Sequence, residues 1–257
     1  GAAYDRRYEG RTEDIDFYGR VARDAKTILE YGAGTGRLTL PLARSGKKVL
    51  AVDLSSAMLR VLDERLTHED KGVRARVVTQ AADMRTFRTS RKFDLVVVGF
   101  HTFCHLYSRS DVVAFLARVH EHLAPGGVLA LDVPIPRIDS AGYDSLAQVC
   151  ITEMDGPSGP ELLTQRWYQP EEVRMHLTYG GFERIRFFGD FSREAPSEDT
   201  DFLAVTAVRS TSPSRKAGPG PAHAMSPKEP RGRASARVSA PSKSAEKSRK
   251  KTASASC

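Results

Sequence analysis

Carboxylates and glycines follow two apolar segments early in the chain, at spacings that suit ligand binding. Glu30 stands two residues before a glycine-rich loop, residues 32–36, of sequence GAGTG. Asp53 ends the second apolar segment, 17 residues after Gly36. Glycine allows a backbone to turn sharply and to approach a ligand without a Cβ in the way. Carboxylates accept hydrogen bonds from hydroxyl and ammonium groups, so the pattern predicts a nucleotide or nucleoside site.

The elements on either side of the loop indicate where such a ligand would bind. Residues 27–31 are typical of a buried strand, and residues 37–45 of the helix after the loop. In doubly wound α/β domains this corner holds a nucleotide at the carboxyl ends of the strands. A dinucleotide is the least favoured ligand, because the third glycine comes one residue earlier than in G-x-G-x-x-G. Glu30 would also repel a pyrophosphate, whereas it would attract a cationic amino group.

Strands and helices alternate through residues 14–208. The predicted strands are residues 27–31, 48–53, 73–79, 93–99, 128–133, 182–191 and 202–208. The predicted helices are residues 14–23, 37–45, 55–66, 111–123 and 170–180. This order predicts an α/β fold with a doubly wound, mostly parallel sheet and helices on both faces.

The segment ILEYGAGTGRLTLPLA, residues 28–43, closely resembles the first motif of class I S-adenosylmethionine methyltransferases. The ending, helix–GGF–strand–loop–strand, is similar to the closing hairpin of that family, and the resemblance covers roughly residues 4–209. It implies a Rossmann-like methyltransferase fold of seven strands with an antiparallel last strand. It also implies S-adenosyl-L-methionine as cofactor, S-adenosyl-L-homocysteine as product, and no metal.

The resemblance assigns the cofactor to residues at successive strand ends. Glu30 would act on the methionyl ammonium group through water or loop amides, and Asp53 would accept both ribose hydroxyls. Asp83 would accept the adenine amino group, and the backbone amide of Met84 would meet a ring nitrogen. Loop ordering, helix capping and a solvated loop position are the respective alternatives for the three acids, and core packing is the alternative for Met58. The other residues expected at the cofactor are Tyr8, Gly32, Ala33, Gly34, Thr35, Gly36, Leu54 and Phe100.

The segment FHTFCHL, residues 100–106, is expected where the methyl group meets its acceptor. It resembles the F-N-x-x-x-H-L loop of small-molecule methyltransferases, amino-sugar N-methyltransferases among them. That resemblance places His105 beside the acceptor, as a general base or an orienting group, since histidine titrates near neutral pH. A histidine bonded to backbone at a helix start is the alternative. His101 is the second catalytic candidate, and it departs from the pattern because asparagine is common there.

Aromatic and basic residues are candidates for binding the acceptor. Tyr4 and Tyr18, with Tyr8, resemble the aromatic N-terminal region that covers the cofactor in this family. Their rings would face a cation or anchor the region by hydrophobic contact. The segment 134–169, where relatives often add antiparallel strands as a roof, carries Arg166 and Trp167, and packing is the favoured alternative for Trp167. Tyr107 completes the predicted acceptor set.

The chain is expected to have three parts. The resemblance implies an N-terminal lid region (1–24) and a cofactor-binding domain (25–209), and composition marks a basic tail (210–257). The tail has 11 basic and 2 acidic residues, and the remainder has 28 basic and 30 acidic residues. The tail is rich in Ser, Ala, Pro, Lys and Arg, which predicts disorder. It is an incidental extension or an arm attracted to nucleic acid.

The remaining features bound the compartment and the function class. No apolar run of 18 residues and no signal core occur, and the three cysteines form no C-x-x-C pair. We therefore expect a cytoplasmic protein with no membrane span, no disulfide framework and no zinc site. The leading hypothesis is N- or O-methylation of a small molecule. An RNA or protein methyltransferase recruited through the tail and a non-catalytic cofactor-binding regulator are the alternatives. The sequence does not decide between a monomer and a homodimer.

Overall fold

The computed structural model describes residues 12–137, 142–156 and 159–211. The strands in these residues are β1 (Thr27–Tyr31), β2 (Lys48–Asp53), β3 (Val77–Ala81), β4 (Phe93–Val98), β5 (Leu123–Pro134), β6 (Tyr143–Asp144), β7 (Val149–Gly156), β8 (Gly159–Arg166), β9 (Phe182–Gly189) and β10 (Phe202–Arg209). The α-helices are α1 (Glu13–Val21), α2 (Thr39–Arg44), α3 (Ser56–Thr67), α4 (Lys71–Arg74), α5 (Arg109–His122) and α6 (Pro170–Tyr179). A 3₁₀ turn covers Thr102–His105.

Seven strands form one sheet in the order β3-β2-β1-β4-β5-β10-β9. The first five strands are parallel to their neighbours. The order reverses between β1 and β4, and ligands bind beyond the carboxyl ends of the strands at such a switch point. Strand β10 is inserted between β5 and β9 and runs antiparallel to both. The predicted fold class is therefore confirmed, including the antiparallel last strand.

The buried strands explain why the sheet has helices on both faces. In β1, four of five residues are buried, and β4 is buried except for Asp94. Alternate residues point to opposite faces, so side chains of one strand enter two apolar clusters, with Leu29 in one and Ile28 in the other. Strands with this pattern suit the centre of a parallel sheet.

A second, three-stranded antiparallel sheet has the order β6-β7-β8. It occupies the segment in which the resemblance implied extra antiparallel strands. The β7–β8 hairpin pairs Val149 with Arg166 and continues to Gly156 opposite Gly159. Arg166 is thereby placed at the end of the hairpin, directly before Trp167 and helix α6.

The predicted boundaries agree with the structure within two residues, except at the starts of strands β3 and β5. Strand β3 begins at Val77 rather than at Val73, because residues 71–74 form the short helix α4, in which Val73 is the buried residue. Helix α2 begins at Thr39, since residues 34–38 are turns. Strand β5 begins at Leu123 rather than at Val128, since Leu123 already pairs with Phe93 of β4 before a shift in register.

Two sequence predictions fall outside the described residues. Tyr4 and Tyr8 precede residue 12, and the basic tail lies beyond residue 211 except for its first two residues. In the part of the chain that the structure describes, no helix has both the length and the apolar character needed to cross a membrane.

Candidate functional site

A cavity of about 530 Å³ opens at the carboxyl ends of β1, β2, β3 and β4. Its lining combines the glycine loop, the turn after β2, the loop after β3 and the segment after β4. The residues that line it are Glu30, Tyr31, Gly32, Ala33, Gly34, Thr35, Arg37, Leu38, Val52, Asp53, Leu54, Met58, Ala82, Asp83, Met84, Arg85, Gly99, Phe100, Thr102, His105 and Tyr107. Predicted residues from four strand ends are therefore brought together in one place.

The glycine loop approaches the segment after β4 closely. Gly32 has φ +72°, and a Cβ at this position would lie 2.2 Å from Oγ1 of Thr102. The backbone N–H of Gly32 donates to Val52 at 2.8 Å, which holds the loop against β2. Gly36 serves another purpose, because a Cβ there would lie 2.3 Å from Leu62 of α3, and Gly36 is absent from the cavity lining.

Glu30 is almost fully buried at the end of β1, with 2% of its surface exposed. Its Oε2 atom accepts a hydrogen bond of 2.5 Å from Oγ1 of Thr39. Burial raises the pKa of Glu30 to about 8, because a charged carboxylate loses its hydration, and the nearby Asp53 acts in the same direction. A buried carboxyl in this position suits a cationic group, which would favour its ionised form.

Asp53 is held rigidly at the end of β2. Its Oδ2 atom accepts the N–H of Gly34 at 2.8 Å, and its Oδ1 atom accepts the N–H of Ser55 at 2.7 Å. Ser55 in turn caps helix α3 by accepting the N–H of Met58 at 3.3 Å. Each carboxylate oxygen retains a second lone pair, so Asp53 can still accept hydroxyl groups. The predicted alternative, in which Asp53 itself caps the helix, does not describe these contacts.

Asp83 also lines the cavity, and it is paired with Arg85. Arg85 donates to Asp83 through Nη2 at 2.6 Å and to Asp111 of α5 through Nη1 at 2.8 Å. These contacts, led by the Arg85 side chain, hold the pKa of Asp83 below its usual range. Asp83 is therefore anionic at neutral pH and keeps lone pairs for a donor such as an adenine amino group. Met84 lies beside it in the lining.

The remaining predicted cofactor residues, Leu54, Met58 and Phe100, differ in how their side chains meet the cavity. Leu54 is 75% exposed at the edge of the cavity, which is unusual for a leucine. Met58 projects toward the glycine loop, with its Cε atom 3.7 Å from the position of a Cβ at Gly34. Phe100 lines the cavity, and the guanidinium of Arg37 lies 5.4 Å from its ring centroid.

His105 ends the 3₁₀ turn, and its exposed side chain lines the same cavity as Asp53. The surrounding protein lowers the pKa of His105, mainly because it desolvates the charged imidazolium, although Asp53 acts in the opposite direction. The imidazole is therefore neutral near pH 7. A neutral imidazole that faces a ligand cavity can accept a proton.

His101 occupies a different place from His105. Its ring stacks on Phe202 of β10, with the centroids 5.2 Å apart, and on Phe100 at 5.9 Å. Its Nε2 atom lies 3.6 Å from Oδ2 of Asp132, and it is not part of the cavity lining. The geometry supports a packing role for His101 rather than direct contact with a ligand.

Tyr18 is completely buried, so its ring is not presented to the cavity. Its hydroxyl donates to Oδ1 of Asp132 at 2.5 Å. Burial, followed by the charge of Asp132, raises the pKa of Tyr18 well above its ordinary value. Of the two alternatives for the aromatic N-terminal set, the structure therefore places this tyrosine as an anchor.

Tyr107 connects the cavity to the small sheet. Its side chain lines the cavity, and its hydroxyl donates to the carbonyl oxygen of Thr164 in β8 at 2.5 Å. Arg166 is largely engaged within the protein. It donates to Glu172 at 2.6 Å and to Oε1 of Gln148 at 3.0 Å, and it lies outside the cavity lining.

The contacts of Trp167 agree with a packing role. It is 7% exposed and stacks on Tyr143 with ring centroids 5.3 Å apart. It does not line the cavity, so the structure does not bring it together with His105. Cys104 is fully buried and its pKa is raised well above the ordinary value by that burial, which makes it unsuited to nucleophilic attack.

Sequence reasoning missed three residues that shape the site. Arg37 lines the cavity and pairs with Asp14 of α1 through Nη2 at 2.7 Å. Thr102 meets the glycine loop, as described above. Asp132 is fully buried near the end of β5 and accepts the N–H groups of Phe100 and His101. Its position in LALDV, an acid at a strand end, was an available signal.

The residues present fit the cofactor that the sequence predicted. The cavity offers a buried carboxyl at Glu30 for an ammonium group and a fixed carboxylate at Asp53 for a ribose. A third carboxylate, Asp83, also lines the cavity and can accept from a donor such as an adenine amino group. Among the described residues, no group of three or more His, Cys, Asp or Glu side chains could hold a metal ion.

Comparisons with known proteins point to the same chemistry. Residues 28–127 match the family model of a methyltransferase domain. The chain is 28% identical over 197 residues to the cypemycin N-terminal methyltransferase of Streptomyces sp, which covers 66% of this chain and 78% of that protein. It is 30% identical over 137 residues to a dTDP-3-amino-3,4,6-trideoxy-α-D-glucopyranose N,N-dimethyltransferase of Streptomyces venezuelae, covering 50% of this chain and 54% of that protein.

A solved structure shows the same fold. The glycopeptide N-methyltransferase MtfA is 25% identical, with a TM-score of 0.62 over 78% of this chain and 90% of that chain. The same enzyme complexed with S-adenosyl-L-methionine gives 25% identity and a TM-score of 0.58, over 77% of this chain and 93% of that chain.

Proposed function

Because this chain is a class I S-adenosylmethionine-dependent methyltransferase, we propose that it methylates an amine nitrogen of a small-molecule acceptor. The sequence left nitrogen and oxygen open. The cypemycin, amino-sugar and glycopeptide enzymes are all named as N-methyltransferases, which supports nitrogen. The observation that carries the proposal is that His105, whose pKa is lowered, faces the same cavity as Glu30, Asp53 and Asp83.

Three carboxyl groups hold the cofactor in this proposal. Glu30 binds the methionyl ammonium group, Asp53 binds the ribose hydroxyls and Asp83 binds the adenine amino group. The backbone approaches the cofactor at Gly32, Ala33, Gly34 and Thr35. Apolar contact comes from Leu54, Met58, Met84 and Phe100. When bound, the cofactor supplies an electrophilic methyl group on a sulfonium, which makes the reaction an in-line displacement.

His105 removes the proton that the acceptor must lose. The nitrogen lone pair forms the new N–C bond as the C–S bond breaks, and the sulfur keeps that electron pair. The nitrogen is then cationic, and the neutral imidazole of His105 accepts its proton. The main contribution of the protein is alignment, since holding two reactants in line replaces a random encounter. Tyr107, beside His105 in the lining, is the second residue that we assign to the acceptor.

The charges of the cavity favour an amine over a strongly anionic acceptor. Both arginines of the described lining are paired with carboxylates, Arg37 with Asp14 and Arg85 with Asp83 and Asp111. Arg166, a sequence candidate for binding the acceptor, is paired with Glu172. An anionic group would therefore need cations from elsewhere in the chain.

Methylation of RNA or protein through the basic tail is the second candidate. The concentration of 11 basic residues after residue 209 is the observation that favours it. A polyanion bound through that tail would lose affinity steeply with salt. Deletion of residues 210–257 separates the two candidates. The small-molecule enzyme keeps its kcat/KM, whereas a nucleic-acid enzyme loses affinity and its salt dependence.

The test is transfer of a labelled methyl group to a panel of amines, namely amino sugars, amino acids and short peptides with free N-termini. We compare wild type with H105A and H105Q, and we use H68A as the control because His68 is an exposed histidine outside the cavity lining. We expect turnover with one amine class, a roughly 100- to 10,000-fold lower kcat in both His105 variants and no change in H68A. Wild-type kcat in both His105 variants would refute the histidine role, and turnover only with hydroxyl acceptors would refute the amine.

A further inference from the structure

A buried carboxylate lies behind the segment that carries His105. Asp132 of β5 has none of its surface exposed. Its Oδ1 atom accepts the Tyr18 hydroxyl at 2.5 Å and the N–H of Phe100 at 2.8 Å. Its Oδ2 atom accepts the N–H of His101 at 2.9 Å. One side chain therefore links helix α1, strand β5 and the segment after β4.

The two backbone N–H groups belong to residues with an unusual conformation. Phe100 and His101 have φ values of +57° and +59°, the left-handed region that residues other than glycine rarely adopt. Two such residues in succession are strained, and they persist only where other contacts hold them. Successive N–H groups in a turn of this kind form a concave site for an anion, and the Asp132 carboxylate supplies that anion from within the protein.

The strained pair leads directly to the cavity. The carbonyl oxygen of His101 accepts the N–H of Cys104 at 2.8 Å, the hydrogen bond that opens the 3₁₀ turn. The same turn ends at His105, which lines the cavity. The backbone angles of residues 100 and 101 therefore set the direction in which the turn presents Thr102 and His105.

Tyr18 joins the N-terminal helix to the same carboxylate. Its ring is buried beside the backbone after β4, with its Cε2 atom 3.4 Å from the position of a Cβ at Gly99. Among the described residues, the Tyr18 hydroxyl forms a side-chain hydrogen bond only with Asp132. Asp132 therefore connects helix α1, through Tyr18, to Phe100 and His101 in the segment after β4.

The chemistry of this position requires a carboxylate. Three donors converge on two oxygens, and an ionised carboxylate accepts at both. Asparagine has the same shape, but an NH₂ donor replaces one of the two acceptor oxygens. If nothing moved, this NH₂ group would face a backbone N–H, and two donors cannot form a hydrogen bond with each other. An unsatisfied N–H in a buried site is costly, so the segment would leave the strained conformation.

We propose that Asp132, supported by Tyr18, is a positioning residue for methyl transfer, because it holds residues 99–105 in the strained conformation that presents His105 to the cavity. Its catalytic consequence rests on the proposed function, whereas its effect on the segment does not. The proposal differs from a general role in stability because it restricts the effect to the segment after β4.

Asp94, an exposed carboxylate at the opposite end of the same sheet, provides a control for the loss of a carboxylate charge. Its Oδ2 atom accepts the N–H groups of Lys26 and Thr27 at 2.8 and 2.9 Å and the Thr27 hydroxyl at 3.0 Å. The D94N substitution therefore removes a carboxylate that also serves two N–H groups and one hydroxyl, away from the cavity.

The first test requires no acceptor. In wild type, D132N, Y18F and D94N, we would measure S-adenosyl-L-homocysteine affinity by calorimetry, amide exchange of residues 99–106, and the His105 pKa by NMR. We expect D132N to weaken the affinity less than about tenfold, because Phe100 is the one assigned cofactor residue in this segment. It should also lose protection of residues 100 and 101 at least tenfold and raise the pKa of His105 toward its ordinary value. Y18F should show the same changes at a smaller size, and D94N should show none of them.

The second test uses the amine that wild type methylates. D132N should lower kcat at least 10-fold with saturating cofactor, Y18F less, and D94N not at all, even where D94N lowers the Tm equally. The D132N/H101G double variant should recover part of the lost kcat, because glycine adopts the left-handed conformation without strain. Unchanged protection, His105 pKa and kcat in D132N would overturn the proposal, and so would loss of cofactor binding together with kcat. If no amine is turned over, the proposed function fails while the first test still decides the role of Asp132.

Discussion

The carboxylate of Asp53 accepts the backbone N–H of Gly34 at 2.8 Å. This bond adds to the one from the Gly32 N–H to Val52, so both the backbone and a side chain at the end of β2 hold the glycine loop after β1. The acid assigned to the ribose is also a structural part of the loop assigned to the methionyl group. A ligand that contacts both therefore meets a preorganised surface, which lowers the entropy cost of binding.

Substitution of Asp53 should weaken cofactor binding more than it weakens folding. D53A removes two hydrogen-bond acceptors for the ribose and frees the Gly34 N–H, so we expect the Kd for S-adenosyl-L-homocysteine to rise about 100-fold, from two lost bonds of about 1.5 kcal/mol each. D63A is the control, because Asp63 is exposed on α3 and bonds only Thr79 among the described contacts. Calorimetric titration of both variants measures the difference. Equal affinities in D53A and wild type would remove Asp53 from the site.

Cofactor binding should be coupled to release of a proton from Glu30. The free protein holds this carboxyl neutral below a pKa of about 8, and a bound ammonium group stabilises the ionised form. Affinity for S-adenosyl-L-homocysteine should therefore rise from pH 6 to pH 8 and then level. Calorimetry at pH 6.5 in two buffers with different ionisation enthalpies counts the released proton. E30Q should bind more weakly and release none, and a wild type that releases no proton would contradict the assignment.

The same carboxyl should make stability depend on pH. The pKa of Glu30 is raised in the folded protein, so the unfolded chain ionises first. The contribution of this carboxyl to stability is therefore complete below pH 4.5 and decreases as the pH rises to about 8, by about 1.4 kcal/mol for each pH unit. E30Q carries no ionisable group here, so its free energy of unfolding should rise relative to that of wild type between pH 5 and pH 8. Urea unfolding of both proteins at pH 5, 6.5 and 8 measures the gain, and a constant difference would contradict it.

Much of the fold was predictable because its signals are local. Strands β1 and β2 were predicted with the observed bounds, since each is a short apolar run closed by glycine or a capped helix. Strand β3 was displaced because its residues are only partly buried, so its apolar pattern is weak, and a short helix precedes it. The inserted β10 was recognisable only through resemblance, because strand order depends on contacts far apart in sequence.

The site was predictable in part for a related reason. Glu30 and Asp53 lie in the last residues of their strands and Asp83 follows β3, and parallel strands bring their carboxyl ends to one edge of the sheet. His105 was ranked above His101 only through the resemblance. The residues alone could not show that the turn at residues 100 and 101 directs one ring toward Phe202 and the other toward the cavity. The contacts of Arg166 with Glu172 and Gln148 likewise depend on tertiary structure.

The pH dependence of turnover should report the lowered pKa of His105. The base must be neutral, so kcat/KM, calculated on the concentration of unprotonated amine, should fall on the acid side with an apparent pKa below about 6.5, the ordinary value for histidine. H105Q should lose this acid limb along with most of its rate. An acid limb that is retained in H105Q would assign it to another group.

Gly32 should tolerate alanine far less well than Gly46 does. Both have positive φ, +72° and +93°, so alanine costs about 1–2 kcal/mol at either position through its backbone conformation. A Cβ at Gly46 meets nothing within 4 Å, whereas a Cβ at Gly32 would lie 2.2 Å from Oγ1 of Thr102. G32A must therefore also separate the glycine loop from the segment that leads to His105. We expect G46A to lose about 1 kcal/mol of stability with unchanged cofactor affinity, and G32A to lose more and to bind S-adenosyl-L-homocysteine at least 10-fold more weakly. Urea unfolding and calorimetry on the two variants measure both effects, and equal behaviour of G32A and G46A would show that the close approach at Thr102 does not shape the site.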